Sequence, residues 1–416
     1  MSAKFCLRQQ ESHLFTQSEL RSDLLGILLL SNKNKESENE TMNKSKVYFT
    51  DMRARPGTNL LEKLRKLMVA AGAQSIDFNE KFTAIKIHFG EPGNLSYLRP
   101  NFAKAVADYI KEQGGVPFLT DCNTLYVGRR KNAIDHIDAA YENGYTPFST
   151  GCHVIIADGL KGTDEVLVPV EGGTYVKEAR IGRAVMDADI ILSLNHFKGH
   201  ELTGFGGAIK NLGMGCGSRA GKMEQHNDGK PQVDQNVCKG CKVCAKNCAH
   251  GAISFNAQNK ASIDHGKCVG CGRCIGACFI DAISNTSGSA AEKLGMKMAE
   301  YAKAVVTGRP QFHINIVMDV SPFCDCHGEN DVPIIPDVGM FASFDPVALD
   351  MACADACNAQ PVSKGSLLDD NMNAPHFHDH HDHFVNTTPE SDWKACMEHA
   401  EKIGLGSREY ELVTVK

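Results

Sequence analysis

The chain has 416 residues, which is enough for two or three domains and a substantial core. Charged residues make up 23% of the sequence and the net charge is −6, an ordinary balance for a globular protein. Because there is no basic stripe and no apolar run of membrane-spanning length, we exclude nucleic acid and membrane as partners.

The cysteine content indicates the compartment in which the protein works. There are 17 cysteines, an odd number, and many of them stand in metal-ligand spacing rather than in a disulfide pattern. Metal-ligating cysteines must be thiolates, which persist in a reducing environment. We therefore expect a cytoplasmic protein of an oxygen-poor, anaerobic cell.

The first 41 residues do not fit the pattern of the rest. Their apolar stretch, residues 24–30, is short and directly follows Glu19 and Asp23, so it makes a poor signal peptide. A polar run then leads to Met42, and the first clear strand begins after it. We expect residues 1–41 to be a disordered leader or the product of a mis-assigned start codon.

From residue 46, strands alternate with helices. Apolar residues at helical spacing mark the first helix, for example Leu60, Leu64 and Leu67. The predicted strands are residues 46–52, 82–89, 116–120, 153–157 and 190–194, and the predicted helices are 60–71, about 102–110 and 132–142. Repeated strand–helix units predict an α/β fold with a mainly parallel sheet and helices on both faces.

This alternation of strands and helices stops near residue 199 and resumes near residue 286. A glycine-rich segment to about residue 229 and a cysteine-rich module lie between. After the module we predict helices at 289–306, 346–357 and 390–403, strands at 312–320, 334–338 and 410–415, and a polar surface insertion at 362–388. The simplest organisation is one α/β domain in two parts, 42–230 and 286–416, interrupted by a ferredoxin-like module at 231–285.

Two runs of four cysteines share the spacing Cys-x2-Cys-x2-Cys-x3-Cys. Such close spacing lets three thiolates of one loop bind three corners of a cubane, and the module resembles the bacterial two-cluster ferredoxins. In that family the fourth cysteine of each run binds the other cluster. The resemblance therefore implies two [4Fe–4S] clusters, one held by Cys238, Cys241, Cys244 and Cys278 and the other by Cys268, Cys271, Cys274 and Cys248.

The module departs from the ferredoxin pattern at two positions. Ala249 and Phe279 stand where those ferredoxins usually have proline, which bears on the local loop shape but not on ligation. A pair of zinc sites is the alternative, but zinc ribbons do not usually use this triple spacing.

The glycine-rich segment directly follows the predicted strand at 190–194, and other polar side chains also stand at predicted strand ends. These are His88, Asp121, Asn123 and Asp319. In open α/β sheets, ligands bind beyond the carboxyl ends of strands, so these groups predict a binding crevice. His88 and Asp121 are candidate catalytic residues in it.

Glycines in this segment let backbone amides approach a ligand closely. The candidate cofactor-binding positions are Gly204, Gly206, Gly207, Lys210, Gly213 and Gly215. The segment has neither P-loop spacing nor a dinucleotide fingerprint directly after a strand, so we do not predict ATP or NAD binding.

Three segments resemble an uncharacterised iron–sulfur-centre family that is known only as a domain of unknown function. They are residues 196–226, 121–129 and 343–350. The resemblance spans most of residues 46–360, including the cysteine module. It implies the fold and the clusters but no established reaction.

His200, the Gly206–Gly207 pair, Lys210 and His226 also resemble the arrangement in nickel-pincer lactate racemases, in this one segment. The resemblance implies that Lys210 carries a nickel pyridinium cofactor, that His226 ligates nickel and that His200 is a catalytic acid/base. Those racemases lack a cluster module. From the residues alone, Lys210 can equally bind an anionic ligand or pair with an acid, and the histidines can form structural hydrogen bonds.

Two further motifs carry metal-binding residue types. Cys324-Asp-Cys326-His327 predicts a redox pair, a metal site or two buried thiols beside the crevice; a disulfide across one residue would be strained. The run His376-Phe-His-Asp-His-His-Asp-His383 suits nickel, zinc or copper, and a solvated loop is the alternative.

Together these patterns favour an iron–sulfur oxidoreductase whose clusters pass electrons to or from a small-molecule substrate in the crevice. A non-catalytic electron-transfer protein that docks a redox partner protein is the alternative. A racemase-like enzyme with nickel or another additional metal is the third hypothesis.

Overall fold

The computed structural model describes residues 44–125, 128–227, 231–248, 250–268, 273–278, 280, 282–284, 291–375 and 377–416. Ser45–Lys416 form one compact unit. The predicted leader, residues 1–41, lies outside the described residues.

Strands and helices alternate along most of this unit, as the sequence predicted. In chain order the strands are β1 (Ser45–Asp51), β2 (Phe82–Lys86), β3 (Val116–Asp121), β4 (Val154–Ile156), β5 (Glu165–Pro169), β6 (Glu178–Gly182), β7 (Ile190–His196), β8 (Lys198–His200), β9 (Gly204–Gly206), β10 (Gln232–Val233), β11 (Ile253–Phe255), β12 (Ala261–Ile263), β13 (Ile283–Ser284), β14 (Gln311–Val317), β15 (Gly339–Ser343) and β16 (Tyr410–Thr414).

The α-helices are mostly short. In chain order they are α1 (Leu60–Ala70), α2 (Pro100–Glu112), α3 (Ala133–Glu142), α4 (Pro147–Thr150), α5 (Arg183–Asp187), α6 (Ala208–Cys216), α7 (Arg219–Asn227), α8 (Val243–Asn247), α9 (Arg273–Gly276), α10 (Ala291–Val306), α11 (Pro346–Asn358), α12 (Leu367–Met372), α13 (His383–Thr387) and α14 (Lys394–Lys402). None of these described helices is both long and apolar enough to span a bilayer.

Eight strands form one central sheet in the order β16-β1-β15-β14-β7-β2-β3-β4. All neighbours run parallel except that β15 is antiparallel to both β1 and β14. The predicted α/β fold with a mainly parallel sheet is therefore confirmed. Because β7 and β2 are neighbouring parallel strands, their carboxyl ends lie at the same edge of the sheet, where ligands bind in such folds.

Side chains of β7 fill two cores, one on each face of the sheet. Every residue of this strand is buried, as expected for a parallel strand covered on both faces. Ile190, Leu192 and Leu194 join the core that α1 and α2 cover. Ile191 points the opposite way and joins the core that α6, α10 and α11 cover. Helices therefore flank both faces, as predicted.

Local sequence signals explain where the first helix begins and ends. The side chain of Asn59 accepts hydrogen bonds from the backbone N–H groups of Leu61 and Glu62, each at 3.0 Å, and Glu62 accepts one from the Asn59 N–H at 2.8 Å. This capping box satisfies donors that have no partner within the helix. Gly72 follows the helix with a φ of 91°, a conformation that favours glycine.

The predicted strand at 334–338 is wrong. Ile334 and Ile335 are buried, as their apolar character suggested, but the strand in this region is β15, Gly339–Ser343. Pro333 and Pro336 flank the two isoleucines and have no N–H to donate to a neighbouring strand, which explains the shift.

The segment 362–388 is more than the surface insertion that its polarity predicted. It contains α12 and α13, and Leu368 and Phe384 are fully buried in the main core. The Phe384 ring lies 5.9 Å from the Phe197 ring and 5.4 Å from the Phe205 ring, measured between centroids. One aromatic anchor therefore attaches this segment to the hairpin of β8 and β9.

Candidate functional site

A cleft lies beyond the carboxyl ends of β2, β3 and β7. Its unoccupied volume is about 710 Å³, including the part open to solvent. The polar groups that line it are His88, Asp121, Thr124, Arg130, His196, Lys198, His200, Thr203, Lys210, Asn211, Lys222, His226 and Cys326. The five candidate catalytic residues from the sequence, His88, Asp121, His200, Lys210 and His226, thus line one cleft.

Two other predicted strand-end groups are not among the lining residues. The Asn123 amide donates to the Asp158 carboxylate at 2.8 Å, and the Asp319 carboxylate lies 3.5 Å from the Arg99 guanidinium. Both side chains therefore have structural partners away from the cleft.

Helix α6 carries Lys210 and Asn211 into the cleft, and its start is fixed by a buried carboxylate. Asp350 accepts hydrogen bonds from the backbone N–H groups of Ala208 and Ile209 at 2.7 and 2.9 Å. Burial raises the pKa of Asp350 to about 6. A carboxylate at a helix N-terminus satisfies free N–H donors and interacts favourably with the helix dipole.

The predicted cofactor-binding glycines divide into two groups. Gly215 lines the cleft. A side chain at Gly204, Gly206, Gly207 or Gly213 would collide with Trp393, Lys210, Asp350 or Met298, respectively. Close packing of the protein on itself accounts for the second group, and their role in cofactor binding stays a prediction.

A buried ion pair stands at the floor of the cleft. Lys86 is fully buried, and its Nζ lies 3.0 Å from the Asp121 Oδ1 and 2.6 Å from the Asn211 Oδ1. Burial would raise the pKa of Asp121, but the positive charge of Lys86 and of other nearby groups outweighs burial, and its pKa lies below the ordinary value. Asp121 is thus a paired carboxylate. Lys86 was not among the site residues predicted from the sequence. The signal that could have identified it is a lysine in the apolar strand Phe82–Lys86.

His88 is held between a backbone N–H and an arginine. Its Nδ1 accepts a hydrogen bond from the Gly90 N–H at 3.0 Å, and its Nε2 lies 3.0 Å from the Arg130 Nη1. The Arg130 Nε also donates to Glu91 at 2.7 Å. Burial, and then the Arg130 charge, lower the pKa of His88 well below its ordinary value. His88 is therefore a neutral imidazole.

The hydrogen bonds of His200 fix its tautomer. Its Nδ1 accepts from the backbone N–H groups of Leu202 and Thr203, each at 3.1 Å, so the proton of the neutral ring is on Nε2. Burial, and then Lys210, lower the pKa of His200 well below its ordinary value. A neutral His200 is thus an N–H donor, and it cannot bind a metal through Nε2 without losing these two bonds.

His226 and His196 are two further buried histidines that line the cleft. Burial, followed by Lys210 and Lys222, lowers the pKa of His226 to about 4. In His196, Nδ1 lies 2.9 Å from the Asp325 carboxylate and Nε2 lies 2.8 Å from the Met318 carbonyl oxygen. Both nitrogens of His196 have protein partners, so this ring is a structural group.

Lysines and an arginine dominate the lining of the cleft. The Lys222 Nζ donates to the Gly217 carbonyl at 2.6 Å, and the Lys198 Nζ lies 3.3 Å from the Asp325 carboxylate. With Lys210 and Arg130, four cationic side chains line the cleft, whereas Asp121 is the one carboxylate among the lining residues described. The cleft therefore suits a ligand with oxygen acceptors or negative charge.

A second cavity lies within the cysteine module. It has about 310 Å³ of unoccupied volume, and Cys238, Cys241, Cys244 and Cys278 all line it. Cys238, Cys244 and Cys278 are buried, and the backbone N–H of Ala261 donates to the Cys238 Sγ at 3.3 Å. The fourth thiol of this cavity comes from the second cysteine run.

The remaining predicted ligands are only partly described. Cys248, Cys268 and Cys274 form no disulfide, and the backbone N–H of Ala252 donates to the Cys248 Sγ at 3.4 Å. Cys271 lies outside the described residues. Among the residues that are described, no three His, Cys, Asp or Glu side chains are arranged to hold a single metal ion.

The cysteine module contacts a wall of the cleft. Its strands β10 and β13 pair antiparallel, so the ends of the module lie side by side. Leu125 and Met223 pack in the same apolar cluster as Cys238, Cys244, Cys274 and Cys278. Thr124 and Lys222, the sequence neighbours of Leu125 and Met223, line the cleft. The apolar cluster of the module therefore extends to the sequence neighbours of two cleft residues. The module bounds, 231–285, stay a prediction.

The two smaller motifs have different surroundings. Cys324 is buried and Cys326 lines the cleft, both as free thiols. In the histidine-rich run, His376 lies outside the described residues, the His381 side chain is 88% exposed, and the His383 Nε2 lies 2.9 Å from the Gln360 carbonyl oxygen. Metal binding by this run stays a prediction.

Known proteins match this chain only in part. The thylakoid-associated protein sll1697 of Synechocystis sp. is 29% identical over 131 residues, which are 30% of this chain and 35% of that protein. The chain thus matches about a third of the length of this curated relative.

Two solved structures are distantly similar. The lactate racemase apoprotein of Thermoanaerobacterium thermosaccharolyticum aligns with a TM-score of 0.32 and 12% identity, over 67% of this chain and 51% of that chain. A Thermotoga maritima protein aligns with a TM-score of 0.35 and 12% identity, over 72% and 57%. TM-scores this low give no basis for transferring a fold or an activity.

The family match covers most of the described sheet and both cavities. It extends over residues 83–355, which is more than half of the chain. The resemblance noted in the sequence is therefore confirmed at the level of the family. This chain belongs to the family described as Domain of unknown function (DUF362).

Proposed function

We propose that this chain binds two [4Fe–4S] clusters through its eight regularly spaced cysteines and works as an oxidoreductase on a small ligand held in the cleft. The observation that carries the proposal is the cavity lined by Cys238, Cys241, Cys244 and Cys278. Cys278 belongs to the second run, and this exchange of the fourth ligand is the pattern of two-cluster ferredoxins.

The donor set of this cavity fits a cluster better than a single ion. Each iron of a cubane takes one thiolate, so the four sulfurs stand farther apart than the ligands of one zinc ion. The backbone N–H groups of Ala261 and Ala252 donate to the sulfurs of Cys238 and Cys248. Such bonds stabilise thiolates and tune the potential of a bound cluster.

The apolar cluster that joins the cysteines to Leu125 and Met223 supports a redox role for the cleft. When bound, two [4Fe–4S] clusters would supply or accept electrons one at a time. Met223 and Leu125 belong to the apolar cluster that contains the cysteines, and their sequence neighbours Lys222 and Thr124 line the cleft. The path from the cysteines to the cleft therefore passes through a few side chains, which is short compared with the diameter of a domain.

The cleft residues have roles that follow from their charge states. Lys210 and Lys222 attract an anionic or carbonyl-bearing ligand, and the neutral His200 offers its Nε2–H as a donor. The Lys86–Asp121 pair fixes Asn211 and the floor of the cleft. These groups bind and orient a ligand and stabilise negative charge that develops on it.

The proposal is tested by single cysteine variants after anaerobic purification, with iron content and the electron paramagnetic resonance spectrum of the reduced protein as readouts. We expect Cys241→Ala and Cys278→Ala to lose the same signal, although they lie in different runs. Cys274→Ala, four residues from Cys278, should lose the other signal.

Cys357→Ala is the matched control, because Cys357 is a buried thiol of the apolar core in α11. It should keep both signals. A Cys278→Ala spectrum that matches Cys274→Ala rather than Cys241→Ala would refute the exchange of ligands. Unchanged iron in all three variants would refute cluster binding.

A further inference from the structure

Two of the four cations that line the cleft are paired with carboxylates. The Arg130 Nε donates to the Glu91 carboxylate at 2.7 Å, and the Lys198 Nζ lies 3.3 Å from the Asp325 carboxylate. In each pair the carboxylate offsets the positive charge. These two cations therefore bring little net charge to the cleft.

The other two cations, Lys210 and Lys222, have no carboxylate within 4 Å among the residues that the structure describes. The Lys210 Nζ donates to the Cys324 sulfur at 3.0 Å, and the Lys222 Nζ donates to the carbonyl oxygens of Gly217 and Gly215 at 2.6 and 3.2 Å. Cys324 is fully buried, and burial favours the neutral thiol, which is a weak acceptor. Both ammonium groups therefore lack a counter-charge in the protein.

Two further carboxylates near the cleft have partners of their own. The Asp121 Oδ1 lies 3.0 Å from the buried Lys86 Nζ. Glu201 follows the cleft residue His200, and its Oε1 lies 2.8 Å from the His327 Nε2. A buried charge without a partner is unfavourable, so a ligand that supplies negative charge would stabilise the cleft.

An unfavourable contact between two donors stands at His88. A neutral imidazole has one N–H and one acceptor nitrogen, yet both nitrogens of His88 face donors. The Gly90 N–H donates to the Nδ1 at 3.0 Å, which leaves the ring proton on Nε2. The Arg130 Nη1, which has only hydrogens to donate, lies 3.0 Å from this Nε2. These two N–H groups cannot bond to each other, but one oxygen of a ligand can accept from both.

His200 supplies a further donor to the same cleft. Its Nδ1 accepts from the backbone N–H groups of Leu202 and Thr203, so its proton is on Nε2. Among the described residues this Nε2–H has no acceptor. The cleft thus combines N–H donors that need oxygen acceptors with two uncompensated positive charges.

We propose that the cleft binds a small molecule with two negative charges on oxygen, such as a dicarboxylate or a phosphate ester. Its charges offset those of Lys210 and Lys222, and its oxygens accept from the N–H groups of His88, Arg130 and His200. The proposal deepens the proposed function, because it specifies the class of ligand held in the same cleft. Binding of this ligand does not need the clusters.

The test is isothermal titration calorimetry of the anaerobically purified full-length protein at pH 8 and low ionic strength. The probes are succinate, which is a dicarboxylate, and inorganic phosphate, which is mainly a dianion at this pH. Acetate is the reference with one negative charge. We expect succinate or phosphate to bind at least about tenfold more tightly than acetate, because a dianion interacts with both ammonium groups. The tighter of the two identifies the kind of anionic group that the cleft prefers.

Lys210→Met and Lys222→Met each remove one positive charge. Each should weaken the binding of the tighter dianion about tenfold, and the double variant should bind it no more tightly than acetate. Lys303→Met, whose lysine donates to the Ile403 and Glu171 carbonyl oxygens away from the cleft, is the matched control and should bind like the wild type.

His88→Gln and His88→Leu test the donor at the other position. Glutamine keeps an N–H group at the end of the side chain, whereas leucine has none. We therefore expect His88→Leu to weaken the binding of the dianion and His88→Gln to retain most of it.

Two results would overturn the proposal. One is a wild-type protein that binds succinate and phosphate no more tightly than acetate, which includes no binding of any of the three. The other is an unchanged affinity for the dianion in both lysine variants. Because calorimetry needs no electron transfer, a failure of the cluster proposal is seen independently in the iron content.

Discussion

At the scale of single residues, hydrogen-bond partners decide what each histidine of the cleft can do. His196 ends β7 and His200 ends β8, only four residues later. The Asp325 carboxylate and the Met318 carbonyl oxygen occupy both nitrogens of His196. Two backbone N–H groups occupy only the Nδ1 of His200 and leave its Nε2–H for a ligand. The neutral imidazole of His200 beside several cations makes the cleft a donor-rich site.

His226 should make folding stability depend on pH. Its pKa is about 4 in the folded chain, against an ordinary value of 6.5. Between these values the unfolded chain binds a proton that the folded chain does not, so stability is lost as the pH falls from 6.5 toward 4. The contribution of His226 to the loss between pH 7 and 5 is about 2 kcal/mol.

Urea denaturation of His226→Gln at pH 7 and pH 5 measures this contribution. The variant should lose about 2 kcal/mol less than the wild type over that interval. His153→Gln is the matched control, because His153 is exposed. If the wild type and both variants lose the same free energy of unfolding, the neutral buried state of His226 is wrong.

Asp121→Asn should destabilise the chain because it leaves the buried Lys86 ammonium without its carboxylate. Removing one partner of a buried ion pair costs about 3–5 kcal/mol. Lys86→Met in the same chain removes the unpaired charge and should recover part of the loss. A double variant no more stable than Asp121→Asn, by urea denaturation, would argue against the pair as the source of the effect.

At the scale of elements, the sequence predicted the strand–helix rhythm better than the segment that forms the cleft. Apolar periodicity located β2, β3, β7 and their helices, because burial on a sheet face needs that periodicity. No helix was predicted in the glycine-rich segment, yet it forms α6 and α7. Gly213 and Gly215 lower helix propensity, and packing of α6 against α10 compensates for it, a tertiary effect that no local pattern contains.

The residues of the cleft, like the elements, were predicted from the sequence only in part. Strand ends and the glycine-rich segment indicated His88, Asp121, His200, Lys210 and His226, because topology brings the carboxyl ends of parallel strands together. Lys86, Lys198 and Lys222 were missed. The role of each of these lysines depends on the carboxylates and carbonyl oxygens that distant elements place beside it. Asp325, for example, lies beside Lys198.

Gly213→Ala tests the contact between α6 and α10. A Cβ at this position would collide with the carbonyl oxygen of Met298, which is backbone and cannot rotate away. We expect a loss of about 1–3 kcal/mol, measured by thermal unfolding. Gly266→Ala is the control, since its Cβ would approach only the exposed Asp264 side chain. Equal melting temperatures for the two variants would contradict the close approach of these helices.

At the scale of the whole molecule, one apolar cluster connects the surroundings of two cavities. One is lined by four thiols and the other by cations and neutral imidazoles. Leu125 and Met223 belong to the apolar cluster of the module, and their sequence neighbours line the cleft. A charged side chain near the cleft should therefore affect the electrostatic potential at the proposed cluster of Cys238, Cys241, Cys244 and Cys278.

Lys131→Met tests that influence. Lys131, next to the cleft residue Arg130, interacts electrostatically with Cys278. A nearby positive charge favours the reduced, more negative form of a cluster, so its removal should lower the midpoint potential by on the order of tens of millivolts. Lys104→Met, a surface substitution on α2, should leave the potential unchanged. If neither variant has a lower midpoint potential than the wild type, the cluster does not lie near Lys131.

The most direct measurement is the iron and acid-labile sulfide content per chain after strictly anaerobic purification, with zinc and nickel measured in the same sample. The proposal predicts about eight irons and eight sulfides per chain, from two [4Fe–4S] clusters. About two zinc ions with no iron or sulfide would contradict it, because the eight cysteines would then form two zinc sites.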